Sequence, residues 1–390
     1  MICDKDVCTG CGVCYNVCPV KCITMKYDSE GFIFPIIDEQ QCIKCNKCRE
    51  NCPSLNELTN NNCKEPITIG CWNKNQDILK KSSSGGAFAA IAEDILKEDG
   101  VVVGCVMDKN LNIYHTIAEN FEELEEMYGS KYVQSETHNI YRKIKVFLNK
   151  GKKVLFVGCP CQVAGVYTYL KDEEYKNLIT IDLVCHGVGS KKFFDKYINE
   201  MNNKYKDKVI GVSFRNKRNG RRNYTTRLSF TTRPPVYIPA IKDSYMTCYL
   251  QRAIYRKSCY SCKYAKLPRV GDITIGDFVG IDRNQISKRD YYNGVSVVLL
   301  NNSKGTYYFE NIKLNLNWLE RPLQEATSTN SNIIEPSIMP DSRKLILNDV
   351  GTVEQLKNKY CKYPLKARIA NILGDDVVRA LKKVFSRFKS

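Results

Sequence analysis

Cysteine spacing constrains this chain before any other feature. Cys8, Cys11, Cys14 and Cys18 are followed by Pro19, and the same C-x2-C-x2-C-x3-C-P run returns at Cys42, Cys45, Cys48, Cys52 and Pro53, an offset of 34 residues. Three cysteines at this spacing on looped backbone grip three corners of one iron–sulfur cubane, and the fourth points away to close the other cluster. The rule assigns Cys8, Cys11, Cys14 and Cys52 to one [4Fe–4S] cluster, and Cys42, Cys45, Cys48 and Cys18 to a second. A structural zinc site expects one four-ligand set, not two interlocked runs. Two copies fall short of a solenoid and make a pseudo-symmetric module. Gly10 and Gly12 suit backbone that wraps closely around an inorganic core. Cys22 reads as a small buried residue beside a cluster, with a spare ligand as the alternative.

The chain has 390 residues, enough for one large domain with an appendage or for two to three smaller ones. It opens without an apolar stretch of signal-peptide length, and no apolar run approaches the ~18 residues that cross a bilayer. A cytoplasmic location is therefore expected, and 20 cysteines in a reducing compartment argue for metal ligation over disulfides. The formal charge is +17, and three oxidised clusters near −2 each would leave roughly +11. That charge attracts acidic electron carriers or anionic substrates, or simply keeps a solvated surface. The basic run 215–222 has no recognition motif beside it, so nucleic-acid binding is not expected.

After Pro53, residues 54–65 are polar and Asn-rich, a linker by composition. From about Ile67, short apolar runs at 101–107, 154–158, 179–184 and 209–214 read as buried strands. Residues 31–37, 224–232 and 273–275 read as further strands. Residues 86–97, 162–170 and 191–201 are amphipathic at helical spacing. The alternation predicts an α/β domain with a partly parallel sheet. Beyond Pro322 the sequence is polar, and 364–390 is a basic amphipathic stretch, predicted to be a helix that docks on a protein surface or lies on a membrane.

Four more cysteines are conspicuous. The strand at 154–158 runs into Cys159-Pro160-Cys161-Gln162, and the strand at 179–184 runs into Cys185-His186-Gly187. Ligands in open α/β sheets gather at the carboxyl ends of strands. A helix N-terminus would favour a Cys161 thiolate. With the loop pair Cys259 and Cys262, these cysteines can form a third four-thiolate site, as a cluster, as zinc, or as unrelated core thiols. Cys159 competes with Cys161, and His186 is the alternative ligand or a hydrogen-bond donor.

The turn Ser82-Ser83-Ser84-Gly85-Gly86 precedes a helix and offers hydroxyls and bare N–H groups to a phosphate or a flavin edge, or serves as a plain N-cap. No G-x-G-x-x-G follows a strand, which gives a Rossmann site no support. Three histidines and no Ser–His–Asp pattern leave hydrolase chemistry without a basis.

Seven stretches occur in an order that carries a resemblance: Ser83-Ser84-Gly85-Gly86, Gly129-Ser130-Lys131-Tyr132-Val133-Gln134-Ser135, Gly158-Cys159-Pro160-Cys161-Gln162, Cys185-His186-Gly187, Phe214-Arg215-Asn216-Lys217, Ser258-Cys259-Tyr260-Ser261-Cys262-Lys263 and Gly271-Asp272-Ile273-Thr274-Ile275-Gly276-Asp277-Phe278. From about Ile67 to Leu300 the chain resembles the beta subunit of coenzyme F-420 hydrogenase and dehydrogenase, with a ferredoxin-like module in front. The resemblance implies an FAD-binding domain with its own [4Fe–4S] cluster on Cys161, Cys185, Cys259 and Cys262. It makes Ser83, Ser84, Gly85, Gly86, Lys131 and Tyr132 candidates for the flavin pocket. Val279 stands where the family often has Trp, and Asn216 where it has Asp; if these positions touch the acceptor, the acceptor differs from coenzyme F-420.

The expected architecture is an α+β dicluster ferredoxin module (1–60), an α/β flavin-binding domain (67–320), and a polar segment ending in a basic helical tail (321–390). The expected function is an iron–sulfur flavoprotein oxidoreductase. It would pass electrons from a ferredoxin-type donor or redox partner protein, through FAD, to a small two-electron acceptor. A subunit that only conducts electrons within a larger complex is the alternative.

Overall fold

The computed structural model describes residues 2–58, 62–171, 175–219 and 224–362. The predicted helix over 364–390 lies outside the described residues.

The chain begins with a small cysteine-rich lobe. Strands β1 (Ile23–Tyr27) and β2 (Ile33–Ile37) pair antiparallel, flanked by the short helices α1 (Val13–Val17) and α2 (Lys47–Glu50). One of these follows each C-x2-C run, so the repeat in sequence is a repeat in structure.

The body is built on an eight-stranded mixed sheet. Its strands are β3 (Ile67–Asn73), β4 (Val101–Met107), β5 (Ile113–Ala118), β6 (Val154–Gly158), β7 (Leu178–Leu183), β11 (Ile273–Asp277), β12 (Ser296–Leu300) and β13 (Leu316–Glu320), in the order β13-β3-β12-β11-β7-β6-β4-β5. The pairs β4–β6, β6–β7 and β7–β11 are parallel, and the remaining pairs are antiparallel. Both faces of β4, β6 and β7 are covered, which is why these strands read as continuous apolar runs. One face buries Val102, Leu155, Ile179 and Ile181 against α3 (Ala87–Lys97) and α7 (Ser303–Ile312). The other buries Val103, Val154 and Phe156 against α4 (Ile140–Asn149) and α5 (Pro160–Leu170).

The expected strand at 209–214 leaves this sheet. It becomes β8 (Val209–Asn216) of a separate three-stranded antiparallel sheet with β9 (Thr225–Phe230) and β10 (Val236–Pro239), packed against α6 (Lys191–Tyr205). The polar stretch after Pro322 joins the body: Ile346, Val353, Leu356 and Cys361 are buried in one core with Phe194 and Tyr245. Among the described residues no helix is long and apolar enough to cross a membrane.

Candidate functional site

The cysteine-rich lobe sits tightly on the body. Gly10 and Gly12 have φ of +68° and +80°, a region that side chains disfavour. A Cβ on Gly10 would lie 2.6 Å from Gln134 Nε2, and one on Gly12 would overlap Thr137 Oγ1. Both glycines therefore serve the fit to the body as well as a tight backbone path. The Cys11 carbonyl accepts from Thr137 Oγ1 at 2.9 Å and from Tyr141 Oη at 2.8 Å. Arg142 donates to the carbonyls of Asn16 at 2.7 Å and Tyr15 at 3.0 Å, at the carboxyl end of α1. Arg343 grips the Glu30 carboxylate with both terminal nitrogens, at 3.0 and 2.7 Å.

Three pockets lined by cysteines follow one another through this junction. The first holds Cys18, Cys42, Cys45 and Cys48, with Cys22 beside them. The second holds Cys8, Cys11, Cys14 and Cys52, with Cys3. The third holds Cys161, Cys185, Cys259 and Cys262, with Cys159 and His186. Ile2 lines the first and second, and Thr9 and Gly10 line the second and third. Cys45 in the first pocket is exposed, whereas Cys8, Cys11, Cys14 and Cys52 are buried. Each set of four that spacing or resemblance grouped thus lies around one space.

Four thiols around one space are the donor set that an iron–sulfur cubane takes. Burial pushes the Cys11 and Cys259 thiols up to about 12, so these sulfurs need a cationic centre beside them to ionise. The third pocket also has local support. Cys159 caps α5 through a reciprocal box with Gln162, Pro160 opens the helix, and Cys161 follows in its first turn.

A buried cation bonds to residues that line the second and third pockets, Cys8 and Gln134. Arg256 is 1% exposed and donates from Nε to the Cys8 carbonyl at 2.7 Å and from Nη1 to the Ile33 carbonyl at 2.9 Å. Its Nη2 has no hydrogen-bond partner among the described residues. Its charge reaches both Cys8 and Cys259. A buried guanidinium with an N–H still to give is costly unless negative charge lies beside it, and anionic groups bound in the neighbouring pockets would offset that cost. The sequence reading missed Arg256, because one arginine 248 positions from Cys8 carries no local pattern.

The residues named for a flavin divide. Ser83 Oγ accepts from the Ser130 N–H at 2.7 Å, Ser84 Oγ donates to the Val295 carbonyl at 2.8 Å, and the Gly85 N–H donates to Ser296 Oγ at 2.9 Å. Gly86 caps α3 from a left-handed conformation with no side-chain bond to the first-turn N–H groups. Lys131 is turned elsewhere. Its ammonium donates to the carbonyls of Glu126, Met127 and Tyr128 at 3.0, 3.0 and 3.1 Å, which takes up all three protons. Arg215 and Lys217 are the cations at the serine turn: Arg215 Nη2 donates to the Ser83 carbonyl and Lys217 Nζ to the Ser84 carbonyl. Arg215 also pairs with Asp277 at 2.7 Å and donates to Tyr132 Oη at 3.0 Å. Lys217 Nζ also donates to the Leu79 carbonyl at 2.6 Å, so both cations are engaged with protein groups at this turn. Asp277 ends β11, beside the β7 end that carries Cys185. Burial, and next the Arg252 charge, hold His186 below its ordinary range, with Asp277 opposing them.

Fold and site together define an iron–sulfur protein whose small cysteine-rich lobe abuts a cysteine pocket in an α/β body. Residues 7–56 match a 4Fe-4S dicluster domain. Residues 68–142 and 151–325 match the N-terminal and C-terminal parts of coenzyme F-420 hydrogenase/dehydrogenase, beta subunit. The two parts of that one family together span well over half of the chain, and the chain belongs to it.

Among curated proteins, a subunit of the F(420)H(2) dehydrogenase of Methanosarcina mazei is 24% identical over 200 residues, 47% of this chain and 54% of that protein. An uncharacterized ferredoxin of Methanocaldococcus jannaschii is 35% identical over 54 residues, 14% of this chain and 69% of that protein. The chain spans about half the length of the two longer curated relatives it matches. A chain of the F-420-reducing [NiFe] hydrogenase complex from Methanosarcina barkeri superimposes with a TM-score of 0.48 at 16% identity, over 71% of this chain and 90% of that chain.

Proposed function

We propose that the chain is an iron–sulfur flavoprotein oxidoreductase carrying three [4Fe–4S] clusters and one FAD. The observation that carries this reading is the shared lining of the three cysteine pockets, at Ile2 and then at Thr9 and Gly10. Bound there, the clusters would supply one-electron steps and FAD the pairing of electrons for a two-electron acceptor. In this reading Cys18, Cys42, Cys45 and Cys48 hold the outermost cluster, next to solvent and a one-electron donor. Cys8, Cys11, Cys14 and Cys52 hold the middle one. Cys161, Cys185, Cys259 and Cys262 hold the one in the body. Ser83, Ser84, Gly85 and Gly86 would hold the phosphate-bearing part of the flavin, with Lys131, Tyr132 and Arg215 beside them. The dicluster domain is 1–60 and the flavin domain 67–320, in a cytoplasmic protein. The Methanosarcina mazei relative is one part of a dehydrogenase, which favours a second reading, a chain that conducts electrons for partner proteins and turns over no small molecule.

Protein purified without oxygen decides between the readings. About twelve irons per chain, by the four-iron rule for each cluster, are expected together with one flavin. Four irons or fewer after full reconstitution would sink the cluster assignment. A full iron count with no flavin retained would leave the conducting role.

Arg256→Met is expected to lower the potential of the middle cluster, because removing a buried positive charge disfavours the extra electron. At one fixed solution potential its reduced fraction should fall about tenfold, the equivalent of 59 mV for one electron. A redox titration followed by electron paramagnetic resonance reads this. An unshifted midpoint would show that Arg256 only fastens the lobe.

A further inference from the structure

Each cysteine pocket holds one thiol more than a cubane needs. Of the 20 cysteines, twelve are the ligands proposed above, which leaves eight. Five of those, Cys63, Cys71, Cys105, Cys248 and Cys361, line none of the three pockets. The other three fall one to a pocket, and each touches a ligand sulfur. Cys22 Sγ lies 3.5 Å from Cys18 Sγ and also meets Cys42. Cys159 Sγ lies 3.7 Å from Cys185 Sγ. Cys3 meets the sulfurs of Cys52 and Cys8. A cysteine that merely fills an apolar core has no reason to recur at this place, and Cys71, on β3 away from the pockets, is what that looks like.

Resting on the ligand assignment above, we propose that Cys22, Cys159 and Cys3 are reserve ligands that keep a cluster in place when its neighbouring thiolate is lost. In the exchange at Cys18, the iron–sulfur bond to Cys18 breaks and one to Cys22 forms. The proton on the Cys22 thiol passes to the departing Cys18 thiolate, or to water where Cys18 has been replaced. The thiolate count on the cluster is unchanged, and no electron moves. The reserve stands within a sulfur–sulfur contact of its ligand, so a small backbone shift completes the exchange. In the resting state the same thiol can donate to the ligand sulfur, a contact that tunes a metal site from outside its ligands.

The test uses the full chain, reconstituted without oxygen with ferrous iron and sulfide, and counts iron per chain. Cys18→Ala should hold as much iron as the unaltered protein, with a changed paramagnetic signal from the outermost cluster. The double variant Cys18→Ala, Cys22→Ala should lose about four irons. Cys48→Ala, a ligand with no reserve beside it, should lose the same. Loss of one iron or more from Cys18→Ala alone overturns the proposal, and so does a full count in the double variant. If Cys48→Ala also keeps every iron, the ligand assignment itself is what fails, and the reserve falls with it. Should Cys18→Ala fail to fold by circular dichroism, Cys185→Ala against Cys185→Ala, Cys159→Ala decides by the same counts, with Cys262→Ala as the ligand without a reserve.

Discussion

Cys262→Ala and Cys259→Ala are each expected to remove about four irons and leave the signals of the cysteine-rich lobe in place. The two residues sit in one short loop, Cys259 in the middle of a turn over Lys257–Ser261 and Cys262 at its carboxyl end, and line the third pocket with Cys161 and Cys185. Neither has a second thiol in sulfur contact of the kind that Cys185 has in Cys159. Electrons from a reduced donor should then reach the lobe but arrive at the flavin slowly or not at all. A hydride donor that acts on the flavin directly should still bleach it. Cys159→Ala is the control and should keep the full iron count. Should Cys159→Ala lose the cluster and Cys161→Ala keep it, the ligand moves by two residues. If every one of these variants keeps its iron and its rate of flavin reduction, the body carries no cluster.

Arg269→Met should cost about 3–5 kcal/mol of stability, because it strands a buried carboxylate. Arg269 and Asp182 are both fully buried, and Arg269 Nη2 reaches Asp182 Oδ1 at 2.8 Å. Asp182 Oδ2 also accepts the N–H groups of Val270 and Gly271 at 3.1 and 2.9 Å. The same guanidinium donates to the Tyr264 and Leu183 carbonyls at 3.0 and 3.1 Å, tying the chain after Cys262 to the end of β7 just before Cys185. The pair thus fixes the distance between two proposed ligands of the third cluster. Urea unfolding of the protein before and after iron loading reads the effect. A loss under about 1 kcal/mol, the level of an exposed ion pair, would show that the carboxylate finds water or other partners.

Local spacing determined the cysteine-rich lobe. Ligands three residues apart are positioned by a few turns of backbone, so the two C-x2-C-x2-C-x3-C-P runs could be read without a fold, including the crossing that places Cys52 with Cys8 and Cys18 with Cys42. The buried strands β4, β6 and β7 were equally legible, since apolar runs covered on both faces have few other uses. The sheet partners of β8 were not legible, because an apolar run carries no mark of its neighbour. Spacing alone left the third pocket open: Cys161, Cys185 and the pair Cys259 and Cys262 come from three separated stretches, and chain entropy opposes their meeting until the sheet has formed. The cations at the serine turn were not legible for a related reason. Lys131 sits nearby in a motif, yet its ammonium closes the carboxyl end of the helix Phe121–Glu126, while Arg215 and Lys217 arrive from the end of β8. The tertiary structure alone set the lobe against the body through Gly10, Gly12 and Arg256. Contacts between residues more than a hundred positions apart are chosen by shape and charge complementarity, which no local pattern records.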